Sequence, residues 1–112
     1  MNWIEITDLQ EIESIKKLSF NKSQLIFKHS TRCSISSMVK NRLEKGEVQS
    51  KIDFYLLDLI KHRDISNSIA ETFNVHHESP QVILVKNGEC TFSESHYDIR
   101  FDEITEQAAV HS

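Results

Sequence analysis

The residues best suited to chemistry lie within residues 27–36, where one cysteine follows a short polar loop. Cys33 stands where turn composition gives way to an amphipathic helical stripe, which predicts its thiol in the first turn of a helix. Unsatisfied N–H groups and the positive dipole end of a helix start favour a thiolate over a thiol. Lys28, His29 and Arg32 are expected to add positive potential nearby. The segment therefore predicts a nucleophilic cysteine.

The alternative interpretation of Cys33 is structural, because a lone cysteine in the first turn of a helix is commonly a small buried apolar residue. Ser36 favours the functional interpretation, since it lies three residues on, where its hydroxyl could hydrogen-bond the sulfur. The motif Cys33-Ser34-Ile35-Ser36 does not by itself separate the two interpretations, because Cys-x-x-Ser occurs widely by chance.

The second cysteine, Cys90, follows an Asn87-Gly88 pair, which is the strongest two-residue hairpin signal. The strand before this turn, residues 81–86, carries the chain about 17–20 Å along the sheet. Cys90 is therefore expected at the opposite end of the sheet from Cys33, whereas a disulfide needs Cα atoms within about 7 Å. We interpret Cys90 as a structural residue.

The sequence contains no pattern typical of a metal site, a phosphate-binding loop or a serine triad. The histidines include the adjacent pair His76-His77 rather than an i,i+4 pair, and neither Cys-x-x-Cys nor His-Glu-x-x-His occurs, so no metal site is expected. The two glycines, Gly46 and Gly88, cannot form a phosphate-binding loop. The hydroxyl residues between positions 30 and 37 lack the His and Asp partners of a serine triad.

Composition narrows the class of protein. The chain has 112 residues, with 13 Lys plus Arg against 17 Asp plus Glu and a formal net charge of −4, which argues against nucleic-acid binding. Hydrophobic residues make up 38% and charged residues 27%, as in globular proteins. The longest apolar run is residues 82–85, and the start carries no signal-peptide pattern. We expect a cytoplasmic protein with one domain over residues 1–112, no membrane span and reduced thiols.

Periodicity and turn residues predict the elements that position Cys33. Apolar residues at helical spacing predict helices over about residues 8–18, 35–43, 64–73 and 101–108. Short apolar or alternating runs predict strands at residues 3–6, 24–28, 52–58, 81–85 and 89–92. The first helix is expected to open with a capping box headed by Thr7, and Gly46 to end the second helix at its C′ position. Residues 44–51 are expected to form a solvated loop.

The element order βαβαβαββα predicts an α/β fold. Strands separated by a helix are expected to be parallel, through right-handed crossovers. The hairpin adds an antiparallel edge. The predicted architecture is a three-layer α/β/α sandwich with a mixed central sheet, and the one proline, Pro80, comes just before the first hairpin strand.

Two segments carry a resemblance to a known family. The segments KHSTRCSIS (residues 28–36) and ESPQV (residues 78–82) resemble those of the YtxJ-type monothiol bacilliredoxins, and the resemblance covers nearly the whole chain. It implies a thioredoxin-like fold in which a cis-proline faces the cysteine. It also implies removal of bacillithiol from protein mixed disulfides, with bacillithiol as thiol co-substrate, no tightly bound cofactor and a place in the stress response.

The resemblance is carried over position by position. Cys33 matches the single active cysteine, and Ser36 stands where a dithiol thioredoxin has its resolving cysteine. Pro80 matches the cis-proline, and Ser79 matches the residue whose backbone would pair with a bound disulfide. Ser34 departs from the family, which often carries proline there, and leaves its N–H free at the helix start.

The remaining site residues are expected around this centre. The active-site support residues are Arg32, Ser34 and Ser36, and the substrate-binding residues are Thr31, Ser79 and Pro80. Because bacillithiol carries malate carboxylates, Lys28 and Arg32 are expected anion contacts.

Three hypotheses follow for the function. The first is a monothiol thiol–disulfide oxidoreductase acting through Cys33 on bacillithiolated proteins. The second is a non-catalytic thioredoxin-fold stress or redox-sensing module, in which Cys33 only senses oxidation. The third, an iron–sulfur carrier, is disfavoured because Ser34-Ile35 stands in place of the Gly-Phe of Cys-Gly-Phe-Ser glutaredoxins.

Overall fold

A computed structural model describes residues 1–47 and 51–110 as an α/β structure built on one five-stranded sheet. The strands are β1 (Ile4–Glu5), β2 (Ser23–His29), β3 (Ile52–Asp58), β4 (Gln81–Lys86) and β5 (Glu89–Ser95). The helices are α1 (Gln10–Leu18), α2 (Ser34–Glu44), α3 (Arg63–Thr72) and α4 (Phe101–Val110), with a 3₁₀ turn at His96–Asp98.

The sheet is mixed, with the spatial order β1-β3-β2-β4-β5. β1 and β2 both run parallel to β3, because each is joined to the next strand along the chain through a helix. β4 runs antiparallel to β2 and to β5. The parallel strands and the antiparallel β4–β5 hairpin agree with the orientations expected from the element order. The expectation was wrong for β4, which follows β3 through α3 but runs antiparallel to β2 and therefore to β3, because the chain after α3 enters the sheet beside the end of β2.

Two apolar cores lie on the two faces of the sheet. One contains Ile26 of β2 with residues of α1 and α3, and the other contains Leu25 and Phe27 of β2 with residues of α2 and α4. Adjacent strand residues point to opposite faces, so a strand covered on both sides reads as a continuous apolar run. The three-layer α/β/α architecture predicted from the sequence is confirmed.

The start of α1 differs from the predicted capping box. The helix begins at Gln10, and the Asp8 carboxylate accepts the Gln10 N–H at 2.9 Å. Thr7 contributes its backbone N–H, which donates to the Glu11 carboxylate at 2.9 Å, rather than its hydroxyl. The prediction of Thr7 as the helix cap was wrong, because an aspartate one residue later satisfies the helix start instead.

The end of α2 also differs from the sequence prediction. Glu44 was expected in a solvated loop but ends α2, where its carboxylate accepts hydrogen bonds from Trp3 Nε1 at 2.7 Å and Lys40 Nζ at 2.9 Å. Of the predicted loop, residues 48–50 lie outside the described residues. Among the helices described, none is long and apolar enough to cross a membrane.

Candidate active site

Cys33 lies at the junction between the loop after β2 and the first residue of α2. Its backbone is extended (φ −109°, ψ 121°), which makes it the N-cap of the helix. Its N–H donates to the Ser30 carbonyl at 3.2 Å, and its carbonyl accepts the Ser37 N–H at 3.1 Å. The side chain is partly exposed, and the first turn of α2 contains no acidic residue. A partly exposed thiol in this place is accessible to a disulfide and lies at the positive end of the helix dipole.

Ser36 lies one turn into α2 and is fully buried. Its Oγ accepts the Ser30 N–H at 3.0 Å and lies 2.6 Å from His29 Nδ1. The expected hydrogen bond from this hydroxyl to the Cys33 sulfur is therefore replaced by bonds to two other residues. Ser36 therefore links Ser30, at the start of the Cys33 loop, to α2.

His29 is the last residue of β2 and is 7% exposed. Burial lowers the pKa of the imidazole, and the nearby Lys40 ammonium lowers it further, with smaller opposing effects from Asp58 and Glu44. A neutral ring with its proton on Nε2 accepts the Ser36 hydroxyl hydrogen at Nδ1. His29 therefore does not supply the positive charge that the sequence suggested.

Lys28 is fully buried on the opposite face of the sheet from Ser36. Its Nζ donates to the Ser66 carbonyl of α3 at 3.1 Å and lies 3.2 Å from His77 Nδ1. Desolvation lowers the pKa of this ammonium to about 8. The expectation that Lys28 contacts an anionic ligand was wrong, because strand alternation turns the side chain inward, where solvent does not reach it.

The other loop residues are open to solvent. Thr31, Arg32 and Ser34 are exposed around Cys33. Arg32 is thus the exposed cation of residues 27–36.

Ser79 and Pro80 lie at the same edge of the sheet. The β2–β4 register pairs Lys28 with Gln81, which sets Pro80 beside the end of β2 from which the Cys33 loop departs. The Ser79–Pro80 peptide bond is cis. Pro80 is buried and its carbonyl accepts the His96 N–H at 3.0 Å, whereas Ser79 is half-buried.

Cys90 lies at the other end of the sheet. It pairs with Val85, whose partner on β2 is Gln24, close to the start of that strand, whereas Cys33 follows the end of β2. Both cysteines are free thiols. Burial raises the pKa of Cys90, and its Sγ lies 3.5 Å from the Phe92 carbonyl. The separation expected from strand length is present in the structure.

A shallow groove of about 720 Å³ runs along the outer face of α2, starting beside Cys33. It is lined by Ser34, Ser37, Met38, Asn41, Arg42 and Lys45. Arg42 Nη1 donates to the carbonyls of Tyr97 and Ile99, both at 2.9 Å, which joins α2 to the 3₁₀ turn. Within residues 1–47 and 51–110, no three His, Cys, Asp or Glu side chains gather into a group that could hold a metal.

The sequence interpretation missed the contacts around Lys28 and Gln81. A lysine and a glutamine in otherwise apolar strands were the available signal, since such residues are buried only with partners. Their partners lie far away in sequence, so local patterns could not name them.

Comparison with known proteins agrees with this arrangement. The sequence profile of the family described as Monothiol bacilliredoxin BrxC matches residues 4–104. A solved candidate oxidoreductase with a thioredoxin fold is 31% identical, with a TM-score of 0.81, over 93% of this chain and 91% of the other. Thioredoxin of Malassezia sympodialis is 20% identical, with a TM-score of 0.73, over 96% and 92%.

A third solved structure, thioredoxin of Trypanosoma brucei brucei, is 12% identical, with a TM-score of 0.71, over 95% of this chain and 87% of the other. Likeness at such low identity concerns the fold alone, and it confirms the predicted thioredoxin-like fold. The family match covers most of the chain, including Cys33 and Pro80. This protein belongs to the monothiol bacilliredoxin family.

Proposed function

We propose that this protein is a monothiol thiol–disulfide oxidoreductase that removes bacillithiol from protein mixed disulfides through Cys33. The observation that carries the proposal is the partly exposed Cys33 thiol at the N-cap of α2, in a chain of the bacilliredoxin family. The start of a helix offers unpaired N–H groups and the positive end of its dipole to a charge that develops on sulfur during exchange.

The reaction proceeds by two exchanges of one disulfide for another. The Cys33 thiolate attacks the bacillithiol sulfur of the mixed disulfide, that S–S bond breaks, and the protein thiolate leaves and takes a proton from water. Cys33 now carries bacillithiol. The thiolate of a second bacillithiol attacks the bacillithiol sulfur of this adduct, which releases bacillithiol disulfide and restores the Cys33 thiolate.

Each neighbouring residue has a role in this proposal. The Ser79 backbone, at the sheet edge beside Pro80, pairs with the extended segment of the substrate. Exposed Thr31 and Arg32 contact the adduct, and the Arg32 guanidinium is suited to a malate carboxylate. Ser34 leaves a free N–H at the helix start, and Ser36 positions the loop. Bacillithiol and bacillithiolated proteins are the partners, and the compartment is the cytoplasm.

The test follows the adduct rather than the loss of substrate. A model protein carrying bacillithiol is mixed with the reduced chain, and intact-mass spectrometry records both proteins over time. We expect the adduct mass to appear on Cys33 as the model protein becomes free, and then to disappear when bacillithiol is added. An adduct that forms on Cys33 but does not leave with excess bacillithiol would favour the redox-sensing hypothesis instead.

A further inference from the structure

The segment before Pro80, residues 76–79, is held by two buried polar side chains from neighbouring strands. Gln81 is 3% exposed; its Nε2 donates to the His76 carbonyl at 2.8 Å, and its Oε1 accepts the Glu78 N–H at 3.3 Å. Lys28, which pairs with Gln81 across β2 and β4, reaches His77 Nδ1 at 3.2 Å. We call residues 76–79 the pre-proline segment.

Lys28 also joins this segment to a helix. Its Nζ donates to the Ser66 carbonyl of α3 at 3.1 Å, and the Ser66 hydroxyl lies 3.4 Å from the same His77 nitrogen. Lys28, Ser66 and His77 therefore form a small polar cluster that ties the pre-proline segment to β2 and α3. Through it, the strand that leads to Cys33 is connected to the segment that ends at Ser79.

Burying a lysine in this cluster costs free energy that an apolar side chain would not. Moving an ammonium out of water costs free energy unless ionic partners compensate, and the contacts of Lys28 are a carbonyl and an imidazole. Methionine would occupy a similar volume without that cost. What the ammonium adds is directional hydrogen bonding, which fixes where His77 lies relative to β2 and α3.

We propose that Lys28 is a positioning residue that, through His77, holds the pre-proline segment where the Ser79 backbone can pair with a protein mixed disulfide. Lys28 is inaccessible and acts only through residues it contacts. The inference rests on the proposed function and adds to it the residue that prepares the protein-pairing edge.

The chain contains a matched control, a second buried lysine on the neighbouring strand β4. Lys86 is 6% exposed, and its Nζ donates to the Ala108 carbonyl of α4 at 2.7 Å. It too joins a strand to a helix carbonyl, but at the opposite end of β4 from Pro80. Lys28→Met and Lys86→Met therefore remove the same chemistry at opposite ends of the paired strands β2 and β4.

The experiment measures KM and kcat on a bacillithiolated model protein, together with the rate of Cys33 alkylation by iodoacetamide. We expect Lys28→Met to raise KM about tenfold, the order expected for losing a hydrogen bond to a charged group. Alkylation of Cys33 should stay within about twofold, because iodoacetamide does not use the pairing edge. Lys86→Met should leave KM unchanged even if its melting temperature falls.

A surface variant keeps the test valid if Lys28→Met fails to fold. His77 is exposed, so His77→Ala removes the acceptor without emptying the core, and it should raise KM in the same direction. An unchanged KM in both Lys28→Met and His77→Ala would overturn the proposal. A parallel fall in Cys33 alkylation, or an equal rise of KM in Lys86→Met, would also overturn it.

Failure of the proposed function gives a different result. A wild-type chain that does not turn over the mixed disulfide contradicts that function directly. The positioning role is then decided by the affinity of Cys33→Ser for the bacillithiolated protein, with and without Lys28→Met. Equal affinity, or no binding in either case, would overturn the positioning role, and a loss of about tenfold would support it.

Discussion

At the scale of single residues, Cys33 and Cys90 share one chemistry and differ in surroundings. Cys33 caps a helix and is partly exposed, whereas burial raises the pKa of Cys90 and keeps it a thiol. The two lie at opposite ends of the sheet, beyond the reach of a disulfide. A thiolate is the attacking species in exchange, so these surroundings select Cys33.

Cys33→Ser should abolish release of bacillithiol from a model protein, because a hydroxyl is a far weaker nucleophile than a thiolate. Cys90→Ser should retain most of the rate. Its hydroxyl can use the Phe92 carbonyl as acceptor, so we expect a stability cost of only about 1 kcal/mol. Single-turnover release and thermal unfolding measure the two effects. An inactive Cys90→Ser beside an active Cys33→Ser would contradict the monothiol mechanism.

The contribution of Lys28 to the stability of the fold depends on pH. Burial lowers its pKa from 10.5 to about 8, so between these values the unfolded chain binds a proton that the folded chain does not. The contribution of this group to the free energy of unfolding therefore rises with pH across that window. The pKa of His77 is lowered from 6.5, so its titration falls below the window.

We expect the unfolding free energy of wild type minus that of Lys28→Met to increase between about pH 7.5 and about pH 9.5. Urea denaturation at both pH values measures it, and the subtraction cancels groups common to both chains. A difference that does not change with pH would mean that the ammonium is not desolvated in the folded protein.

At the scale of elements, the site depends on how the loop after β2 enters α2. The Ser36 hydroxyl accepts the Ser30 N–H and contacts the buried His29 ring, so strand, loop and helix meet at one oxygen atom. Cys33 lies between the two ends of this connection. The orientation of the thiol is therefore a property of the whole strand–loop–helix unit.

Ser36→Ala should leave the Ser30 N–H without its acceptor and destabilise the fold by about 1–3 kcal/mol. We also expect a modest slowing of bacillithiol release and of Cys33 alkylation, because the loop loses its anchor. The control is Ser14→Ala, an exposed serine on α1. Full stability and rate in Ser36→Ala would show that the hydroxyl does not hold the loop.

At the scale of the whole molecule, the last helix closes over the face of the sheet that carries α2. Phe101 of α4 stacks on Phe54 of β3, with ring centroids 6.0 Å apart. Its ring also lies against Gly46, so closely that a Cβ at that position would collide with it. Gly46 follows the C-cap Lys45 of α2, at the C′ position predicted from the sequence, but of the two glycines it is Gly88 that has a positive φ. Close packing is the reason for glycine at position 46.

Gly46→Ala should destabilise the protein by about 1–3 kcal/mol, because the Phe101 ring must shift off its stacking partner. Thermal unfolding measures the loss. Combining it with Phe101→Leu, which removes the ring, should give a smaller total cost than the sum of the two single changes. Additive costs would mean that the ring and the new methyl group do not meet.

The sequence by itself determined the order of the elements and the place of Cys33 at a strand-to-helix junction. Those features follow from periodicity and turn residues, which act over a few neighbouring positions. The tertiary structure alone decided that Lys28 is buried against Ser66 and His77, which are 38 and 49 residues away. It also decided that Ser36 binds His29 rather than the sulfur. A side chain's burial and partners depend on which distant elements pack over it, and local sequence patterns do not determine that packing.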